Sequence, residues 1–122
     1  MEKTNFENLR VYQLSAQLAD ELWPHVLKWS SLARDTVGKQ LIRAADSIGA
    51  NLAEGTGRGS VMDNRRFARI ARGSLYETKH WLQRAERRQL LAVETVTSLN
   101  ATVEELTRPL NGYLRYLNQP KP

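Results

Sequence analysis

Cysteine is absent from the chain. Disulfides, thiolate zinc sites and cysteine nucleophiles are thereby excluded, and the redox compartment is not set by cysteine usage. No apolar run approaches the roughly 18 residues that a membrane span needs, so no membrane partner is expected. Residues 1–8 are polar, and no basic start leads into an apolar stretch. A secretory signal is therefore not expected, and the composition reads as that of a soluble cytoplasmic protein. Strand-like alternation of useful length, internal repeats and low-complexity tracts are all missing. What remains is a chain of 122 residues, long enough to bury a modest core without disulfides. It is expected to form one domain over residues 1–122, with an N-terminal arm at 1–8 and a C-terminal tail at 118–122.

Charge is present but uneven. The formal net charge is +5. Residues 58–88 hold nine Arg or Lys against three acids, a local balance of +6, whereas the rest of the chain holds nine basic and ten acidic residues. The positive charge belongs to one segment. That suits a surface facing a polyanion, or equally a solvated helix face kept basic for solubility.

Apolar residues recur at steps of three and four in four stretches, which predicts four helices. The first spans about Leu9 to Trp29, with Val11, Leu14, Leu18, Leu22, Val26 and Trp29 on one face and a kink expected at Pro24. The second spans about Asp35 to Glu54 on Val37, Leu41, Ala44, Ile48 and Leu52. Its small residues Ala44, Ala45, Gly49 and Ala50 suit close helix approach. The third begins at Ser60-Val61-Met62-Asp63, a capping-box-like start, and runs to about Arg88. Phe67, Ala71, Ser74, Thr78, Trp81 and Ala85 are expected on its core face, widened by Ile70, Leu75 and Leu82. The fourth spans about Glu94 to Leu117. Val96, Leu99, Val103, Leu106, Leu110, Leu114 and Leu117 repeat close to every 3.5 residues, the seam of a bundle, with a bend expected at Pro109. Short connections make this an all-α, antiparallel up-down four-helix bundle. Trp23, Trp29, Leu32, Tyr113 and Tyr116 are apolar residues beyond what one thin bundle covers, and a subunit interface is one place for them.

The most distinctive stretch is SIGANLAEGTGRGS, residues 47–60, where Gly55, Gly57 and Gly59 occupy alternate positions. A Walker loop requires a preceding strand and a Gly-Lys-Ser/Thr ending. Here a helix precedes, and no lysine stands before Ser60. The alternative is a helix corner, in which Gly55 adopts the left-handed conformation that ends a helix and Gly57 and Gly59 reverse the chain. Glu77-Thr78-Lys79-His80 gives E-x-x-H, half of a di-iron motif. The second half is lacking, so neither a metal nor a cofactor is expected. Arg43, Ser47, Asn51 and Glu54 line a polar seam beside the second helix's apolar stripe. With Glu77 they are expected to form a structural hydrogen-bond network between the second and third helices. A hydrolase site built on Glu54 and Glu77 lacks a nucleophile–base pair. On the third helix, Arg65, Arg69, Arg72, Tyr76, Lys79, Gln83 and Arg87 fall opposite the expected core face. Arginine pairs with phosphate oxygens and tyrosine can stack on a base, so this stripe is the candidate nucleic-acid-binding surface. It fits backbone contacts better than a base code.

QLIRAADSIGANLAEGTGRGS (residues 40–60), FENLRVYQLSAQLADELW near the start and FARIARGSLYETKHWL (residues 67–82) together resemble the bacterial four-helix bundle family known as 23S rRNA intervening-sequence proteins. The most specific part is Arg43, Ser47, Asn51, Glu54, Gly55 and Arg58, with Gly73, Ser74 and Glu77 beside them. Trp29-Ser30-Ser31 stands where many members have Phe-Pro. The resemblance implies an up-down bundle assembled as a homo-oligomeric ring, a pentamer, with no established enzymatic activity. It extends to the accessory variability determinant of diversity-generating retroelements, a basic pentamer that binds nucleic acid and works with a reverse transcriptase. The expectation is thus a non-enzymatic homo-oligomer that binds RNA or DNA through Arg65, Arg69, Arg72, Tyr76, Lys79 and Arg87. The alternative is a protein–protein adaptor, such as a reverse-transcriptase accessory subunit.

Overall fold

The computed structural model describes residues 6–120. The parts of the predicted arm and tail at 1–5 and 121–122 lie outside the described residues. A 3-10 turn, Phe6–Asn8, leads into α1, Arg10–Leu27. Val11, Leu14, Leu18, Leu22 and Val26 of α1 are buried, as their spacing requires. The helix continues through Pro24 and stops two residues earlier than expected. Trp29 leaves the helix and lies over Gly38, where an added Cβ would stand 2.8 Å from Val26 Cγ1.

The second helical segment starts earlier than Asp35. Ser30 caps it, its hydroxyl accepting the Ala33 N–H. α2, Ser31–Ala33, passes through a π turn, Arg34–Gly38, into α3, Lys39–Gly57. The π turn winds one residue wider than an α turn, and its Val37 and Gly38 are both buried. α3 then buries Leu41, Ala44, Ala45, Ile48, Gly49 and Leu52.

The glycine corner differs from its expected form. Gly55 does not end α3: it is helical and buried, and the helix runs on to Gly57. An added Cβ on Gly55 would stand 2.6 Å from Asn64 Oδ1 and 3.0 Å from Phe67 Cβ. Gly55 is therefore the point where α3 approaches the next helix most tightly. The left-handed residue is Gly59, with φ of 85°, directly after the C-cap Arg58. Gly57 has no neighbour within 4 Å of where its Cβ would be. Sequence spacing could not separate these three roles, because tertiary contact decides them.

Ser60 caps α4, Val61–Arg87, accepting the Asp63 N–H at 3.0 Å. The corner after α4 has no glycine. Gln89 takes φ of 62°; its N–H bonds to Glu86 O at 3.0 Å and the Leu90 N–H to Ala85 O at 2.8 Å. This paired pattern closes a helix end with a left-handed residue, here a glutamine. α5, Val93–Leu117, follows and buries all seven residues of its predicted seam.

The helices form an antiparallel bundle in the cyclic order α1, α3, α4, α5, with the most extensive contact between α3 and α4. Leu18, Leu22, Leu41, Ile48, Leu52, Leu75, Leu82, Leu106 and Leu110 are wholly or almost wholly withdrawn from solvent. On α4 the buried face is Ala68, Ala71, Ser74, Leu75, Thr78, Leu82 and Ala85. Ile70, expected to widen that face, is 43% exposed, and Phe67 and Trp81 sit half-buried at its edge. The core face of α4 is thus rotated from the expected one. Ser74 meets Ser47 of α3, whereas Ala68 packs on Leu114 and Leu117 of α5, so the face turns toward α5 and Phe67 and Trp81 fall at its edge.

Candidate nucleic-acid interface

The rotation of α4 decides where its cations lie. Arg69, Arg72 and Lys79 do not point directly away from the bundle but reach along the seam to α5. Arg69 Nη2 donates to Asn118 Oδ1 and Arg72 Nη1 to Asn111 Oδ1, each at 3.4 Å. Lys79 Nζ lies 3.8 Å from Glu104 Oε2. The α5 partners 104, 111 and 118 are spaced by seven residues, two helical turns, so one face of α5 supplies all three.

The chemistry of these partners differs along the seam. At the end near the α3–α4 corner they are neutral amides. An amide orients a guanidinium but leaves its full charge, and a guanidinium that spends one N–H retains four. Toward the other end the partner is a carboxylate, which offsets the lysine's charge. Arg65 is half-buried, and its Nε is enclosed with no protein partner. Tyr76 is 52% exposed between Arg72 and Lys79. Arg87 is exposed, about 22 Å further along α4 than Arg72 at 1.5 Å per residue. The predicted stripe therefore divides into Arg69 and Arg72 tied to amides, a half-buried Arg65, a flanking Tyr76, a Lys79 near Glu104 and a separate Arg87.

Two cations were not singled out by the sequence. Arg108 and Arg115 of α5 line the same open groove as Asn111, a space of about 930 Å³, and Asn111 is the partner of Arg72. They stand three residues before and four after Asn111, on one face of α5. Projecting the polar side of α5 beside that of α4 would have found them. Local charge density did not, because α5 also carries Glu104 and Glu105 in the same groove.

The expected polar network between the second and third predicted helices is smaller than its membership suggested. Asn51 Nδ2 donates to Ser47 O at 2.8 Å and to Ser47 Oγ at 2.9 Å. The Ser74 hydroxyl donates to Ser47 Oγ at 3.2 Å, linking α3 to α4. Arg43, Glu54 and Glu77 lie apart from these three. Glu54 pairs with Arg58 at 2.9 Å, both side chains about half-exposed. Glu77 is exposed and accepts from Trp81 Nε1 at 3.4 Å. Arg43 is exposed and lines a slot on the other side of α3. At the end of the seam, Asn64 Nδ2 donates to the Tyr113 hydroxyl at 3.0 Å, and burial pushes that phenol above its ordinary value of 10.0. Among the described residues no group of three or more His, Asp or Glu could hold a metal ion. Also among them, no helix is long and apolar enough to cross a membrane.

Comparison with known proteins agrees with this architecture. A sequence model of the family described as 23S rRNA-intervening sequence protein matches residues 7–112. The crystal structure of a protein of unknown function from the S23 ribosomal protein family of Bacteroides thetaiotaomicron is similar, with a TM-score of 0.77 and 25% sequence identity. The match covers 84% of this chain and 96% of that one. No curated protein matches the chain.

Proposed function

The chain belongs to the 23S rRNA-intervening sequence protein family, and from that premise we propose that it is a non-enzymatic, cytoplasmic protein that binds the backbone of RNA or DNA along the α4/α5 seam. One observation carries the reading. Arg69 and Arg72 are held by the amides of Asn118 and Asn111, so their charge is oriented without being neutralised. Arg65 precedes them on α4, and Arg108 and Arg115 line the α5 groove that holds Asn111, together with Glu104 and Glu105. Several positive charges along one helical seam suit sequence-tolerant phosphate contact. Tyr76 offers a ring for stacking, and Lys79 and Arg87 contribute only weakly.

Homo-oligomeric assembly, as a pentameric ring, belongs to the same proposal: repeated copies would multiply the patch and steepen the salt dependence of binding. Light scattering on the purified protein measures that mass. An adaptor that docks a reverse transcriptase would use these same cations against an acidic protein surface. The amide-held arginines, with four free donors each, suit phosphate oxygens at least as well.

The test is titration of nucleic-acid-free protein with labelled structured RNA, and in parallel duplex DNA, at several salt concentrations. Tight binding at low salt that falls steeply as salt rises supports the proposal. Absence of binding at low salt overturns it.

A further inference from the structure

We propose that the slot between α1 and the start of α3 docks an acidic, amphipathic helical segment of another protein. The slot encloses about 330 Å³, and Trp23, Leu27 and Ile42 form its walls. Trp23 and Leu27 are each 53% exposed and stand four residues apart, one ridge of α1. They face outward while Leu22 and Val26 supply the core. Two helices with an apolar floor between them match the groove that receives an amphipathic helix, read by anchors at helical spacing.

The rim selects the partner's charge. Arg34, Lys39 and Arg43 line the slot, and no acidic residue does. The ion pairs among the described residues are Arg58–Glu54, Arg66–Asp63 and Lys79–Glu104, so these three cations take part in none. An apolar anchor flanked by carboxylates would satisfy floor and rim together. The α1/α3 slot and the α4/α5 seam lie on opposite sides of the bundle, since the cyclic order is α1, α3, α4, α5. They also lie toward opposite ends, one at the start of α3 and the other at the start of α4. The two surfaces can be occupied at once, and the protein would then bridge a polyanion and an acidic protein.

The probe is a short fluorescein-labelled helical peptide with Leu and Phe on one face and glutamates on the other, and a twin with lysines in place of the glutamates. Anisotropy is read with the full chain. The glutamate peptide should bind and the lysine twin should not. Trp23→Ala, and separately Arg34→Glu with Arg43→Glu, should weaken binding by about tenfold or more. Arg69→Glu with Arg72→Glu should leave it unchanged. All altered residues are solvent-exposed or half-exposed, and circular dichroism confirms folding of each variant. The inference is overturned if neither peptide binds, if both bind alike, or if the Arg69/Arg72 variant rather than the slot variants loses binding. A change in the molecular mass of Trp23→Ala would also overturn it, since the slot would then hold a second copy.

Discussion

The two flanks of α4 meet their neighbours in opposite ways. Against α3 the contact is close and made by small groups: Gly55 under Asn64 and Phe67, and Ser74 on Ser47. Against α5 the outer seam is built from long side chains, Arg69, Arg72 and Lys79, joined by contacts of 3.4 to 3.8 Å. The first kind of contact fixes a backbone separation and tolerates no added volume. The second holds charge at a surface, and its members can change without disturbing the core. Stability should therefore be concentrated on one flank and ligand binding on the other.

Substitutions at the three corner glycines break this comparison most directly. Gly55→Ala places a Cβ against Asn64 and the Phe67 Cβ, and overpacking of this kind costs about 1–3 kcal/mol. Gly59→Ala puts a side chain at a φ of 85°, at a cost of about 1 kcal/mol. Gly57→Ala meets nothing and replaces a poor helix former, so it should be neutral or stabilise by up to about 1 kcal/mol. Denaturant unfolding of the three variants reads the order directly. If Gly57→Ala were the most damaging, the close contact would have been placed wrongly.

The opposite corner offers a gain. Gln89 occupies a left-handed conformation that glycine adopts without steric penalty, and Gln89→Gly should raise stability by up to about 1 kcal/mol. A loss would show that the glutamine side chain contributes more than its backbone conformation costs.

The smallest effect concerns the α1/α3 flank. Partial desolvation of this exposed residue, and then the neighbouring Asp20 carboxylate, hold the Asp46 carboxyl above its ordinary value of 3.8. A raised carboxyl binds its proton more tightly in the folded state, so this group's contribution to stability falls as pH rises from the unfolded value through the folded one. Asp46→Asn should therefore raise the melting temperature slightly at pH 7, by under about 1 kcal/mol equivalent, with the gain shrinking toward pH 4. An equal effect at both values would remove the carboxyl's titration as the cause.

Much of this organisation is legible in the sequence. Four helices, the Ser60 cap and every position of the α5 seam follow from periodicity and capping chemistry, which are local. The basic stripe was visible as a set of residues on one helix, but its neighbours were not. The projection placed Ala71, Ser74, Leu75, Thr78, Leu82 and Ala85 correctly on the core face. It also put Phe67, Ile70 and Trp81 there and missed Ala68, which packs on Leu114 and Leu117 of α5, a contact that periodicity on one helix does not show. Arg108 and Arg115 were hidden by the neighbouring Glu104 and Glu105 of the same groove, and they come into view only once α5 is laid beside α4. Arg43 was read into the network with Ser47 and Asn51 because all three share a polar side of α3; in the structure it lines the slot with Trp23 and Ile42, while Ser47 and Asn51 bond to each other.

The measurement closest to the central claim compares the wild-type protein with the Arg69→Glu, Arg72→Glu double variant for binding of labelled structured RNA over a range of salt concentrations, with unfolding followed in parallel. The account predicts unchanged stability to within about 0.5 kcal/mol. It also predicts greatly weakened RNA binding, and a salt slope shallower by about one for each phosphate contact removed. Wild-type affinity and slope in the folded double variant would contradict it.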